Sequence, residues 1–159
     1  VKIEFKGNEI YFSFIYASND MQERRELWES LEAFDPAGYL WFIGGDFNVI
    51  ADVSEKRGGS ERSINGMLDF RNFMSSKGLL DLGFNGCKYT LCNNRKGSRR
   101  IWSRLDRCLS NIHGLDIFTR SSVSHLSRAF SDHALLLVEL KHGSQDLKPF
   151  MYSSKWHSV

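Results

Sequence analysis

Apolar positions along the chain fall into alternating strand-like and helix-like stretches. Ile10 to Tyr16 is aromatic and β-branched, which predicts a buried strand. It ends at Ala17-Ser18-Asn19-Asp20, a turn that also starts a helix, with Asp20 and Glu23 spaced as a capping box. Leu27, Trp28, Leu31 and Phe34 then share one helical face, and Pro36 and Gly38 stop the helix. Tyr39 to Gly45 is almost wholly apolar, which predicts a central strand covered on both faces. Residues 51–63 are polar, contain Arg57-Gly58-Gly59, and read as a mobile loop. Ile64 to Ser76 has helical spacing, with Met67, Phe70 and Phe73/Met74 inward and Gly78 past the end. Short strands are expected near 88–92, 100–108, 120–125 and 134–140, followed by a loosely packed tail over 141–159. Several strands with two or three helices predict an α/β (α+β) sandwich over residues 1–140, not a doubly wound parallel sheet.

Composition narrows this only modestly. A length of 159 residues, 42% hydrophobic and 13% aromatic, supports one domain with a real core. Twenty-one basic against 19 acidic residues leave a net charge of +2, so any case for nucleic acid rests on local clusters. Cys87, Cys92 and Cys108 include no C-x-x-C pair, so neither a disulfide framework nor a structural zinc site is expected. No apolar run approaches the roughly 18 residues of a membrane span, and no secretory segment opens the chain. The expectation is an intracellular protein without a membrane partner; the pattern leaves its oligomeric state open.

Three polar motifs stand beside the predicted strands. Asp46 and Asn48 lie two apart in Gly45-Asp46-Phe47-Asn48, so their side chains share a face, where a carboxylate and an amide can position water against a phosphate. The same residues are also ordinary turn formers. Asp132-His133 precedes the last apolar run and reads either as a hydrogen-bonded pair or as part of a site. Asp106 between Arg104 and Arg107 reads in isolation as a charged face with weak local ion pairing. Arg95, Lys96, Arg99 and Arg100 form a basic turn between two strands, either a solvated tip or a phosphate contact. Lys56-Arg57-Gly58-Gly59 adds a second basic loop, and Tyr89 and Trp102 lie close by, suited either to base stacking or to packing.

Taken in order, Gly45-Asp46-Phe47-Asn48, Arg104-Leu105-Asp106-Arg107 and Ser131-Asp132-His133 resemble the endonuclease/exonuclease/phosphatase superfamily. Tyr89-Thr90-Leu91-Cys92-Asn93-Asn94-Arg95, placed before the Asp106 motif, resembles the endonuclease domains of plant LINE-type retrotransposons. Ile15-Tyr16-Ala17-Ser18 matches that family's strand ending in a phosphate-contacting tyrosine. The resemblance runs from about residue 10 to 140 and implies two mainly antiparallel sheets flanked by helices. It implies that Asp46 orients or deprotonates the attacking water, helped by Asn48, and that Tyr16 donates to the scissile phosphate. Asp132 would lie at the metal site, and His133 would bind the phosphate with Asp106 fixing its tautomer. The implied cofactor is Mg²⁺, with Mn²⁺ as the alternative; the implied partner is DNA, cut to leave a 3′-hydroxyl, with nuclear placement if the retroelement role holds.

The family domain opens with one strand carrying an asparagine and another carrying a glutamate that ligates the metal. Glu4, Asn8 and Glu9 lie too close to the tyrosine strand to serve, so a partial version of the fold is expected. Leu91 stands where an aromatic is common, Ser103 where a polar or acidic residue is frequent, and Ala134 where proline is usual. A cation that relies on one or two carboxylates would bind weakly without that glutamate, so little nuclease activity is expected. The alternative is a non-catalytic remnant or nucleic-acid-binding module.

Overall fold

The structure, a computed structural model, describes residues 1–34, 38–59, 64–128 and 131–143; Pro36 and the tail beyond 143 lie outside them. The described elements run β1 (Lys2–Phe5), β2 (Asn8–Tyr16), α1 (Met21–Ala33), β3 (Leu40–Asp46), β4 (Lys56–Arg57), α2 (Ile64–Ser76), β5 (Leu80–Asp81) and β6 (Asn85–Gly86). They continue through β7 (Leu91–Cys92), β8 (Trp102–Ser103), β9 (Asp106–Ser110), α3 (Ile112–Ile117), β10 (Ser122–His125) and β11 (Leu136–Glu139). Single 3₁₀ turns cover Val53–Glu55 and Gly97–Arg99.

The apolar run of β3 places it at the centre of a five-stranded sheet, ordered β1-β2-β3-β9-β5. It pairs in parallel with β2 and antiparallel with β9. Trp41 and Ile43 point to one face, where Trp28 and Leu31 of α1 and Phe70 and Phe73 of α2 complete an aromatic core. The Trp28 ring lies 5.1 Å from Phe73 and 5.3 Å from Phe70, so the two helices meet through it. Leu40 and Phe42 point to the opposite face, against Phe118, Val123, Leu136 and Val138. The result is a helix layer, a large mixed sheet and a second β layer.

That second layer consists of two three-stranded sheets among the described residues, β11-β10-β6 and β4-β8-β7. A β-bridge between Leu91 and His133 links them. Cys92 N–H donates to the Asp132 carbonyl at 2.9 Å, and Ala134 N–H to the Thr90 carbonyl at 2.7 Å.

Several local expectations are refined. Asp20 caps α1 by accepting from Gln22 and Glu23 backbone N–H groups, but Ser18 Oγ, not Glu23, takes the Asp20 N–H at 3.0 Å. Phe34, expected on the inward face, is the C-cap and is 45% exposed, its ring set edge-on to Trp41. The 51–63 segment is not simply a loop where it is described: it holds a 3₁₀ turn, strand β4 and the buried Glu55. The helix α3 and the strands β1, β5 and β6 carry too few residues to show a period and were not expected.

At one end the layers part. Ile10 and Phe12 are covered, but Phe14 and Tyr16, further along the same face of β2, are 76% and 91% exposed. This opening is a cleft of ≈ 620 Å³. Gly45, with φ of +136°, allows β3 to reach it: a Cβ there would lie 2.1 Å from the Ile15 carbonyl oxygen. Gly45→Ala is expected to lower stability by about 2–3 kcal/mol, seen as a lower urea midpoint with unchanged slope. An unchanged midpoint would show that the β2–β3 spacing is not set at this position.

Candidate active site

Three neighbouring strands end together, and their terminal residues form a row. Tyr16 on β2 is in register with Asp46 on β3, which faces Asp106 on β9. Partners in register project from the same side of a sheet, so the phenol and both carboxylates line the one cleft.

The turn after β3 fixes Asp46. Its Oδ1 accepts the Asn48 N–H at 2.8 Å, and Asn48 adopts φ of +50°, a conformation asparagine tolerates. Asn48 Nδ2 donates to the Ala17 carbonyl at 3.3 Å, which ties this turn to the end of β2. Buried Phe47 anchors it from below, and its N–H donates to the Leu105 carbonyl at 3.0 Å. Turn chemistry thus fixes Asp46 in the cleft, whereas Asn48 lines a separate pocket with Asn19 and Arg24 and does not line the cleft itself.

His133 reaches the row from the other layer. Its Nδ1 lies 2.9 Å from Asp106 Oδ2, and its Nε2 lies 4.0 Å from Asp46 Oδ2. A carboxylate accepts only, so Asp106 selects the tautomer with the proton on Nδ1 and leaves Nε2 toward the cleft. Thr90 joins the two layers. Its fully buried Oγ1 accepts the Leu105 and Asp106 N–H groups at 3.0 and 3.1 Å, while its carbonyl holds Ala134. The sequence reading used Thr90 only as part of a motif, without assigning it this work.

Asp46, Asp106 and His133 offer ligand atoms within 4.8 Å of one another. Asp132, expected at the metal, lines the same cleft from an exposed position but is not in that convergent group. Asp106 Oδ2 is engaged by the imidazole, so Asp46 is the carboxylate of that group turned to a cation, with Asp132 elsewhere on the wall of the same cleft. Two carboxylates, with water and substrate phosphate completing the shell, suit a hard ion such as Mg²⁺. No glutamate is among the described residues lining the cleft, and Glu4, Asn8 and Glu9 do not reach it.

The arginines flanking Asp106 correct the expectation of a charged face. Arg104 is 6% exposed and Arg107 fully buried, and both pair with Glu55 and Asp81. Arg107 also donates to the Val49 and Arg104 carbonyls, and its guanidinium lies 5.3 Å from the Phe70 ring centre. Burial alone would raise the Glu55 and Asp81 carboxyls, but the guanidinium bonds outweigh it and hold both below their ordinary values. Burial works against the Arg104 charge as well, yet its two carboxylate partners raise it further. This network ties the loop after Asn48 to the strand bearing Asp106. Glu55 and Asp81 were missed because nothing local distinguishes them from surface acids.

The basic turn is the tip of the β7–β8 hairpin. Asn93 shapes it, donating to the Arg99 carbonyl at 3.0 Å and accepting from Arg95 and Ile101 N–H groups. Arg95, Lys96, Arg99 and Arg100 are all exposed. Since Leu91 of β7 is bridged to His133, the hairpin springs from the edge of the cleft.

This architecture is that of the endonuclease/exonuclease/phosphatase fold. The structure is similar to the endonuclease domain of TRAS1, a telomere-specific non-LTR retrotransposon, with a TM-score of 0.62 and 19% identity over 90% of this chain and 63% of that one. It is also similar to an endonuclease/exonuclease/phosphatase family protein from Leptotrichia buccalis, with TM-score 0.54 and 19% identity, covering 88% of this chain and 52% of that one. For TDP2 from C. elegans the TM-score is 0.53 and the identity 16%, covering 85% and 43%. The chain thus spans less than two thirds of the length of each. Neither a protein-family model nor a curated protein sequence matches it.

The ion network predicts acid lability. Carboxyls held below their ordinary values of 4.5 and 3.8 contribute full stability above about pH 4.5 and lose it as pH falls through the depressed values. His125, lowered from 6.5 mainly by burial against the Phe84 ring, adds an earlier loss below that pH. Arg107→Met is expected to cost about 3–5 kcal/mol, because it strips the main partner from buried Glu55 and the second partner from Asp81. Urea unfolding of both proteins between pH 4 and 7 checks this; equal stabilities would mean the network carries no net stabilisation.

Proposed function

We propose that the cleft hydrolyses phosphodiesters in DNA, with a divalent cation, Mg²⁺ or Mn²⁺, held by Asp132 and Asp46. The observation that carries this reading is the Tyr16–Asp46–Asp106 row meeting the imidazole of His133 across one cleft. Asp46 accepts the proton of the attacking water and Asn48 keeps that carboxylate oriented through its N–H. With substrate bound, His133 stands between two anions, Asp106 and the phosphate. Its Nδ1 is held by Asp106, and its Nε2 faces the phosphate. Tyr16, almost fully exposed at the cleft mouth, donates to a phosphate oxygen. The cation, when bound, neutralises charge developing on the phosphate.

Arg95, Lys96 and Arg99 supply contacts to the DNA backbone beside the cleft, whereas Arg100 lines a separate cavity. Nuclear placement follows only if the role is that of a retroelement endonuclease. A cation held by two carboxylates without a glutamate binds weakly, so turnover by this chain alone is low.

A second reading, a nucleic-acid-binding module without hydrolysis, is favoured by the thin ligand set among the described residues of the cleft. Nicking of supercoiled plasmid at raised Mg²⁺ separates the two. The hydrolytic reading expects slow, chelator-sensitive nicking that falls at least about 10²-fold in Asp46→Ala and His133→Ala. Folded protein that binds DNA but never nicks it would establish the second reading. Fast nicking lost in both variants would overturn the claim of low activity.

A further inference from the structure

A second cavity, of ≈ 590 Å³, lies against the small β4-β8-β7 sheet. Its walls include Arg57, Tyr89, Arg100 and Trp102, and it shares no lining residue with the cleft. Arg57 and Trp102 are cross-strand partners, whereas Leu91, the partner of His133, pairs with Ser103. Alternation along β8 therefore sets this cavity on the face opposite the one that carries His133.

Its chemistry is specific. Two arginines and two aromatic residues line it, and no carboxylate does among the described residues. The Tyr89 and Trp102 rings lie 6.3 Å apart at 41°, an angled pair of apolar walls. Arg128 sits over the indole with its guanidinium carbon 4.5 Å from the ring centre, and its Nη1 is buried with no hydrogen-bond partner among the described residues.

The walls are also fixed in place. A Cβ on Gly58, at φ of +82°, would lie 2.3 Å from the Arg100 carbonyl oxygen, so the β4 loop and the hairpin close directly on each other. Arg100 Nε donates to the Arg95 carbonyl at 2.8 Å, which restrains its side chain before any ligand arrives. A preset cationic rim over aromatic walls matches a planar base attached to a phosphate.

We propose that this cavity binds one unstacked nucleotide of a single-stranded nucleic acid. The base packs on Trp102 and Tyr89, and its phosphate sits between Arg57 and Arg100. The inference rests on the nucleic-acid role proposed above but not on hydrolysis. A strand held here would lie on the far side of the hairpin from the cleft, so the hairpin would separate unpaired from paired nucleic acid.

Fluorescence anisotropy in EDTA, with a labelled oligothymidylate of about 12 nucleotides and a duplex of equal length, tests this. Trp102→Ala is expected to weaken single-strand binding by about 5–100-fold, with Trp102→Phe restoring most of it. The exposed pair Arg57→Ala/Arg100→Ala is expected to lower the single-strand salt slope by about 0.7, one phosphate, whether or not Trp102→Ala folds. Preference for the duplex, or losses equal for duplex and single strand, would overturn the pocket while leaving the DNA reading intact. No binding of either probe by the folded wild-type chain would overturn both.

Discussion

The cross-strand register of β2, β3 and β9 is the constraint on which the rest of this structure depends. Tyr16, Asp46 and Asp106 come from positions far apart in the chain, yet pairing puts them in one row. Because side chains alternate, a slip of one residue between β3 and β9 would turn Asp106 toward the helices and bring a neighbour to the cleft. The same slip would turn the charge of Asp106 onto the apolar, helix-facing side of the sheet and take Leu109 out of that core. Hydrophobic patterning and site geometry thus enforce one register, since only one satisfies both.

Thr90 and the arginine network extend that constraint into three dimensions. Thr90 bonds with its side chain to the start of β9 and with its carbonyl to the segment carrying His133. An imidazole brought by a separate layer is thereby held at hydrogen-bond distance from Asp106. On the side facing α2, Arg107 bridges Glu55, Asp81 and backbone carbonyls. Buried ion pairs of this kind add little net stability over an apolar core, but each is costly to break, so they favour a single arrangement. A polar network beneath the candidate site therefore defines its geometry more than it strengthens the fold.

The opening between layers has a different origin. Phe14 and Tyr16 continue the apolar face of β2 beyond the reach of β10 and β11, so the end bearing the carboxylates stays accessible. Accessibility leaves Tyr16 and Asp132 open to solvent, while Asp46 and Asp106, lining the same cleft, stay buried.

Much of this was legible one element at a time. The aromatic run at Ile10–Tyr16, the apolar run ending at Gly45 and the spacing of Phe70 and Phe73 each specify local conformation and a buried face. Asp20 and Gly78 mark helix ends for reasons contained in their own chemistry. The order of the Asp46, Asp106 and Asp132-His133 motifs pointed to one fold, and the structure brings Asp46, Asp106, Asp132 and His133 to one cleft. What the chain's pattern could not show is anything that depends on partners distant in sequence. Arg104 and Arg107 looked like surface charges because Glu55 and Asp81 lie 23 to 52 residues away. Thr90 looked like a strand residue because its two partners belong to different layers. Two-residue strands such as β4 and β6 carry no period at all, and exist because strands distant in sequence, β8 and β10, offer them hydrogen bonds. Local conformation follows from side-chain periodicity and capping, which neighbours in sequence determine; the site follows from register and burial, which only the folded chain determines.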